Sequence, residues 1–63
     1  MMNPPKHPVE KRWFERGRKQ GHDKRFKKPK LPYQSMEKSS NAFTKRYVEC
    51  FVQGWEQGRG EVS

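Results

Sequence analysis

The sequence predicts an all-α fold: a small two-helix hairpin with a long basic irregular connection and flexible termini. Three observations lead there. The pattern Phe-x-x-Gly-x-x-Gln-Gly occurs twice, from Phe14 to Gly21 and from Phe51 to Gly58, 37 positions apart. Apolar residues around each copy recur at four-residue steps, the spacing of one helix face. Between the copies, Pro29 and Pro32 interrupt any continuous helix and push Lys28 and Leu31 toward extended backbone. A glycine inside a helix costs roughly 1 kcal/mol relative to alanine. Four of them over two helices call for a compensating reason, and close approach of two backbones supplies one.

Residues 1–7, with Pro4 and Pro5 and little to bury, read as a flexible N-terminal arm. A single domain is expected over 8–59. Pro8 suits the first position of a helix, where its missing N–H is not needed. From there Val9, Trp13, Gly17 and Gly21 fall on one face with Phe14 beside it, so a first helix is expected over about 8–22, stopped near Gly21. Residues 23–40 form the basic loop, with Leu31, Tyr33 and Met36 available to tack it to the helices. Ser39, Ser40 and Asn41 are good N-cap residues before a second periodic segment. There Phe43, Tyr47, Phe51 and Trp55 descend one side with Cys50, Gly54 and Gly58, giving a helix over about 41–57. Gly58, Arg59 and Gly60 are expected to end it, leaving 60–63 as a frayed tail. Laid antiparallel, the two helices would pack through Trp13, Phe14, Gly17, Gly21, Phe43, Tyr47, Phe51, Gly54, Trp55 and Gly58.

Composition sets the limits of this core. The chain has 63 residues, 29% of them hydrophobic and 35% charged. A chain of this size buries only about 60% of the surface its unfolded form exposes. That balance is close to a disordered composition, and the eight aromatic residues provide much of what can be buried. The formal charge of +8 is lopsided: residues 1–30 hold eleven Lys and Arg against Glu10, Glu15 and Asp23, whereas residues 31–63 hold four basic and four acidic residues. A localised basic field points to a polyanionic partner.

No catalytic constellation is recognisable, and an enzyme is not expected. Cys50 is the one cysteine. It falls on the apolar side of the second helix, where a buried structural thiol is the ordinary role. His7 and His22 read as solvated, and the carboxylates are scattered, so neither a metal site nor a cofactor is expected. The segment Gly17-Arg-Lys-Gln-Gly21 lacks the preceding strand and the Lys-Ser/Thr ending of a phosphate-binding loop, so its glycines read as packing positions. With no apolar run of signal-peptide or membrane-spanning length, a cytoplasmic location without membrane association is expected.

The best functional candidate is the run Lys24-Arg25-Phe26-Lys27-Lys28-Pro29-Lys30, whose bland alternative is a solvated linker. Its charge continues back along the first helix through Lys11, Arg12, Arg16, Arg18 and Lys19, and Phe26 and Tyr33 are interleaved as stacking surfaces. One helix face plus one loop suits tracking phosphates and stacking on unpaired bases, without sequence-specific reading of DNA. The expected RNA-binding residues are therefore Arg12, Arg16, Arg18, Lys19, Lys24, Arg25, Lys27, Lys28, Lys30 and Tyr33. Tyr33 keeps two readings: a hydrophobic clip closing the loop, which a small core favours, or an exposed ring against a base.

In order along the chain, Arg16-Gly17-x-x-x-Gly21, a basic connection reaching Pro32-Tyr33, and Phe51-Val-Gln-Gly54-Trp55 resemble the ribosome modulation factor family of bacteria. The resemblance covers about residues 12–59. Leu31 and Phe51 stand where the family carries cysteine and tryptophan, the pattern of a divergent member. The resemblance implies a small two-helix protein that binds ribosomal RNA of the 30S subunit. It would modulate or inhibit translation by occupancy, as in ribosome hibernation under stress. The alternative from the residues is a small phage-type or regulatory protein that inhibits a host protein through its aromatic helix face. The partners expected are thus the ribosome and its RNA, or a ribosomal or host regulatory protein.

Overall fold

A computed structural model describes residues 5–63; the part of the expected arm at residues 1–4 lies outside the described residues. Helix α1 spans Pro8–His22, a short α2 spans Gln34–Lys38, and α3 spans Ala42–Val62. Among the described residues there is no strand, so the chain is all-α.

Local chemistry accounts for the helix starts. His7 is the N-cap of α1: its Nδ1 accepts the Val9 N–H at 3.3 Å, and its carbonyl accepts the Lys11 N–H at 2.8 Å. The ring expected in solution thus has a capping role while remaining exposed. Glu10 lies in the first turn of α1 and Lys19 and His22 in the last, each at the helix end whose partial charge it complements. Asn41 caps α3, its Oδ1 accepting the N–H groups of Phe43 at 2.8 Å and Thr44 at 3.4 Å, as its place after Ser39 and Ser40 predicts.

The antiparallel hairpin is overturned. A Cβ built on Gly17 would meet the Phe51 carbonyl oxygen at 2.0 Å, and one on Gly21 the Trp55 carbonyl oxygen at 2.2 Å. Advancing one turn along α1 therefore advances one turn along α3. At the other ends Glu10 pairs with Arg46, and Arg18 with Glu61. The helices run parallel, with residues 23–41 returning along the pair.

The contact is reciprocal. Just as Gly17 faces Phe51, Gly54 faces the Phe14 carbonyl oxygen, again at 2.0 Å; just as Gly21 faces Trp55, Gly58 faces the Arg18 carbonyl oxygen at 2.2 Å. Each pair maps onto the other by exchanging the two motif copies, so an approximate two-fold axis lies between the helices. No glycine among the described residues has a positive φ, so these four are required for proximity and not for an unusual backbone. The hydrogen in place of each Cβ points at a carbonyl oxygen across the interface, the Cα–H···O arrangement of close helix crossings.

Around this seam Phe14, Cys50, Phe51 and Trp55 are buried, with Met36 contributed by α2. Trp13 stacks on Tyr47 with ring centroids 6.4 Å apart and meets Phe51 edge-on at 6.3 Å. Phe43, expected among the packing residues, is 73% exposed. The parallel register explains it: Glu10, near the start of α1, pairs with Arg46, so Phe43 lies beyond the end of the partner helix.

Two further expectations change. The stretch 23–40 is not wholly irregular, because α2 forms within it; Met36 anchors that turn against α3. Nor do Gly58–Gly60 stop α3, which continues to Val62 in place of a frayed tail. Its last turns are fastened to α1 by the buried Gly58 contact and by Glu61, whose Oε1 lies 2.9 Å from Arg18 Nε and 2.6 Å from His22 Nε2.

Candidate nucleic-acid interface

The connection is positioned by one residue from each long helix, Gln20 within the first motif copy and Arg59 just after the second. Gln20 of α1 holds it by both ends of its amide: Nε2 donates to the Lys30 carbonyl at 2.9 Å, and Oε1 accepts the Lys30 N–H at 2.7 Å. Arg59 of α3 stacks its guanidinium 4.8 Å from the centre of the Trp55 ring. It donates to the Asp23 carbonyl at 3.0 Å and also to the Phe26 carbonyl. The start of the basic loop is thereby tied to α3 and its middle to α1.

These ties sort the sequence-predicted cations. Arg18 is taken up by Glu61. Arg25 forms a two-point pair with Asp23, its Nη2 2.7 Å from Oδ2 and its Nε 3.1 Å from both oxygens. The pairing with Arg25 holds the Asp23 carboxyl down at about 2, and hydrogen bonds from Arg18 and then His22 hold Glu61 at about 2. Both arginines remain exposed, but their charge is largely compensated. Arg12, Arg16, Lys19, Lys24, Lys27, Lys28 and Lys30 are exposed and take part in none of the ion pairs found among the described residues. Arg16 is held by its own helix, lying 4.9 Å above the Trp13 ring.

One free cation of the helix and one of the loop, Arg16 and Lys30, line the same cleft. An open cleft of about 330 Å³ between α1 and the connection is lined by Arg16 and Lys30 with Phe26, Leu31, Pro32, Gln20 and Phe51. Tyr33, just beyond it, is 59% exposed. The expected clip is therefore absent: Tyr33 precedes α2 and its carbonyl accepts the Met36 N–H. The buried anchor at this end is Met36.

The residues that sequence reasoning missed are the positioning ones. Arg59 stood in the expected helix terminator, although its place four residues after Trp55 is the spacing for stacking on that ring. Gln20 was visible as a repeated glutamine, but its backbone partner is ten residues away. Its counterpart Gln57 reaches Glu61 instead, at 3.4 Å. Cys50 is fully buried as expected, and burial pushes its thiol up. Among the described residues, no group of three or more His, Cys, Asp and Glu is gathered as a metal site, and no helix is long and apolar enough to cross a membrane.

No protein-family model, curated protein or solved structure matches this chain.

Proposed function

We propose that this chain is a small RNA-binding protein that associates with bacterial ribosomes through 30S ribosomal RNA. In this reading it modulates or inhibits translation by occupancy, in the manner of ribosome hibernation, from the cytoplasm and without chemistry. The observation that carries the reading is the sorting of charge. Arg18, Arg25 and Arg46 are matched by Glu61, Asp23, Glu10 and Glu49, and Arg59 is held by loop carbonyls, while the other exposed cations of the connection and of outer α1 are left for an external polyanion. The order of motifs shared with the ribosome modulation factor family supports the ribosome as that polyanion.

The test is fractionation of ribosomes from stationary-phase cells on sucrose gradients. The protein is expected with 30S, 70S or dimerised particles, and its absence from all of them at physiological salt would refute the proposal. A charge-removing variant, Lys27→Gln with Lys28→Gln and Lys30→Gln, should keep the helical content and bind RNA more weakly. For single strands the slope of log affinity against log salt falls by about 0.7 per lost phosphate contact. Loss of three contacts should thus flatten it by about 2. The alternative of a protein partner gripped by the aromatic face is weakened because Phe14, Phe51 and Trp55 are spent inside the fold, although Phe43 remains exposed.

A further inference from the structure

We propose that the cleft between α1 and the connection seats one unstacked nucleobase, with an adjoining phosphate held between Arg16 and Lys30. This inference rests on the RNA-binding reading and deepens it from a charged surface to a defined subsite. The lining is divided in the way a nucleotide is divided. Phe26, Leu31, Pro32 and the buried Phe51 make an apolar recess, and the two cations supply positive charge beside it. A volume of about 330 Å³ is at the small end of ligand sites, which run from about 300 to 1,000 Å³, a size for one base and not for a folded element.

Among the described residues, neither cation is neutralised by a carboxylate and no carboxylate lines the cleft. Arg16 is oriented by Trp13. Lys30 is fixed through its backbone by Gln20 while its side chain stays exposed. The Gln20 amide gives one N–H and one oxygen lone pair to Lys30 and so sets the separation of the walls, while Phe26, Leu31, Pro32 and Phe51 make most of the lining ring and aliphatic surface. The subsite therefore takes a base by its faces and excludes duplex RNA, whose bases are stacked and paired; any unpaired base is accepted.

The full chain would be titrated against a fluorescent 12-nucleotide single-stranded oligothymidine and against an equally long chain of abasic tetrahydrofuran phosphates, which carries the same charge without bases. Stacking of one base on an aromatic surface corresponds to a roughly 5-fold to 150-fold preference for the base-bearing strand. Phe26→Ala should collapse that preference toward unity while leaving the salt slope in place. Equal binding of both strands by the unmodified protein, with a steep salt slope, would overturn the subsite and leave the RNA reading standing; failure to bind either strand at low salt would overturn both. A second measurement is independent of how well the variant folds. A single-stranded RNA containing 4-thiouridine, irradiated in complex with the unmodified protein, should crosslink to the peptide bearing Phe26–Pro32 or to that bearing Phe51. Crosslinks confined to other regions, including ones around Phe43, would refute the assignment.

Discussion

Replacing Gly17 with alanine should destabilise the protein even though the same change ordinarily strengthens a helix. The new Cβ falls 2.0 Å from the Phe51 carbonyl oxygen and 3.0 Å from the Trp55 nitrogen, whereas ordinary contact begins near 3.4 Å. Both obstacles are backbone, so the side chain has no rotamer that avoids them and α1 and α3 must separate locally by roughly 1.4 Å. Overpacking of this kind costs about 1–3 kcal/mol, against which helix propensity returns up to about 1 kcal/mol. The net loss, from near zero to about 2 kcal/mol, should lower Tm by up to about 16 °C at 4–8 °C per kcal/mol for a domain of this size class. Gly60 is the control, since a Cβ there meets nothing within 4 Å. Gly60→Ala should therefore raise Tm by a few degrees. Thermal unfolding followed by helix circular dichroism compares the two with Gly54→Ala, the reciprocal contact. Because both interface changes spread the same crossing, the double variant should lose less than the sum of the singles. A Gly17→Ala protein that melts with Gly60→Ala, above the unmodified chain, would refute the packing account.

The acid dependence of stability follows from Asp23 and Glu61. Their carboxyls lie at about 2 in the fold, below ordinary values of 3.8 and 4.5, so their pairing contributes fully above about pH 5 and is lost progressively as pH falls through 4 toward 2. Glu61→Gln should remove part of that dependence, measured as Tm against pH; an unchanged profile would contradict the role of Glu61. Arg59→Lys keeps the charge but loses the planar fork that reaches the Asp23 and Phe26 carbonyls. Faster amide hydrogen exchange is expected over residues 23–30, with α2 unaffected, and exchange unchanged there would show that the tie is dispensable. Cys50, fully buried, should react with a thiol reagent only on unfolding, so labelling at the rate of an exposed thiol would mean that α3 opens readily.

Much of the local structure was legible because its causes are local. Pro8 starts α1, Asn41 caps α3, and the four-residue spacing of Trp13, Gly17 and Gly21, or of Phe51 and Trp55, marks the faces that meet. The polarity of the pair was not set by the repeat. Two copies of an asymmetric motif written in the same direction can fit each other reciprocally across a two-fold axis parallel to both helices, but a two-fold axis perpendicular to antiparallel helices would also satisfy the repeat. A helix pair joined by a short loop runs antiparallel, but the chain from Asp23 to Asn41 is long enough to return along α1, which at 15 residues and 1.5 Å per residue is about 22 Å long. Reciprocal backbone contact at Gly17 and Gly54 could then govern the arrangement.

What the sequence by itself determined was the all-α class, the two glycine-bearing faces, the starts of α1 and α3 and the concentration of positive charge in residues 1–30. Those depend on residue type and spacing within a few turns. Only the tertiary structure decided that the helices run parallel, that α3 continues through Gly58 and Gly60, that Phe43 and Tyr33 stay outside, and that Arg18 and Arg25 are occupied while Arg16 and Lys30 face the same cleft. Each of these depends on which distant backbone or carboxylate comes within a few ångströms. Glu61 against Arg18 follows the register of α1 on α3, whereas Gln20 against Lys30 and Arg59 against Phe26 follow the path of the connection beside that pair. The register comes from carbonyl oxygens filling the space that four absent side chains leave open.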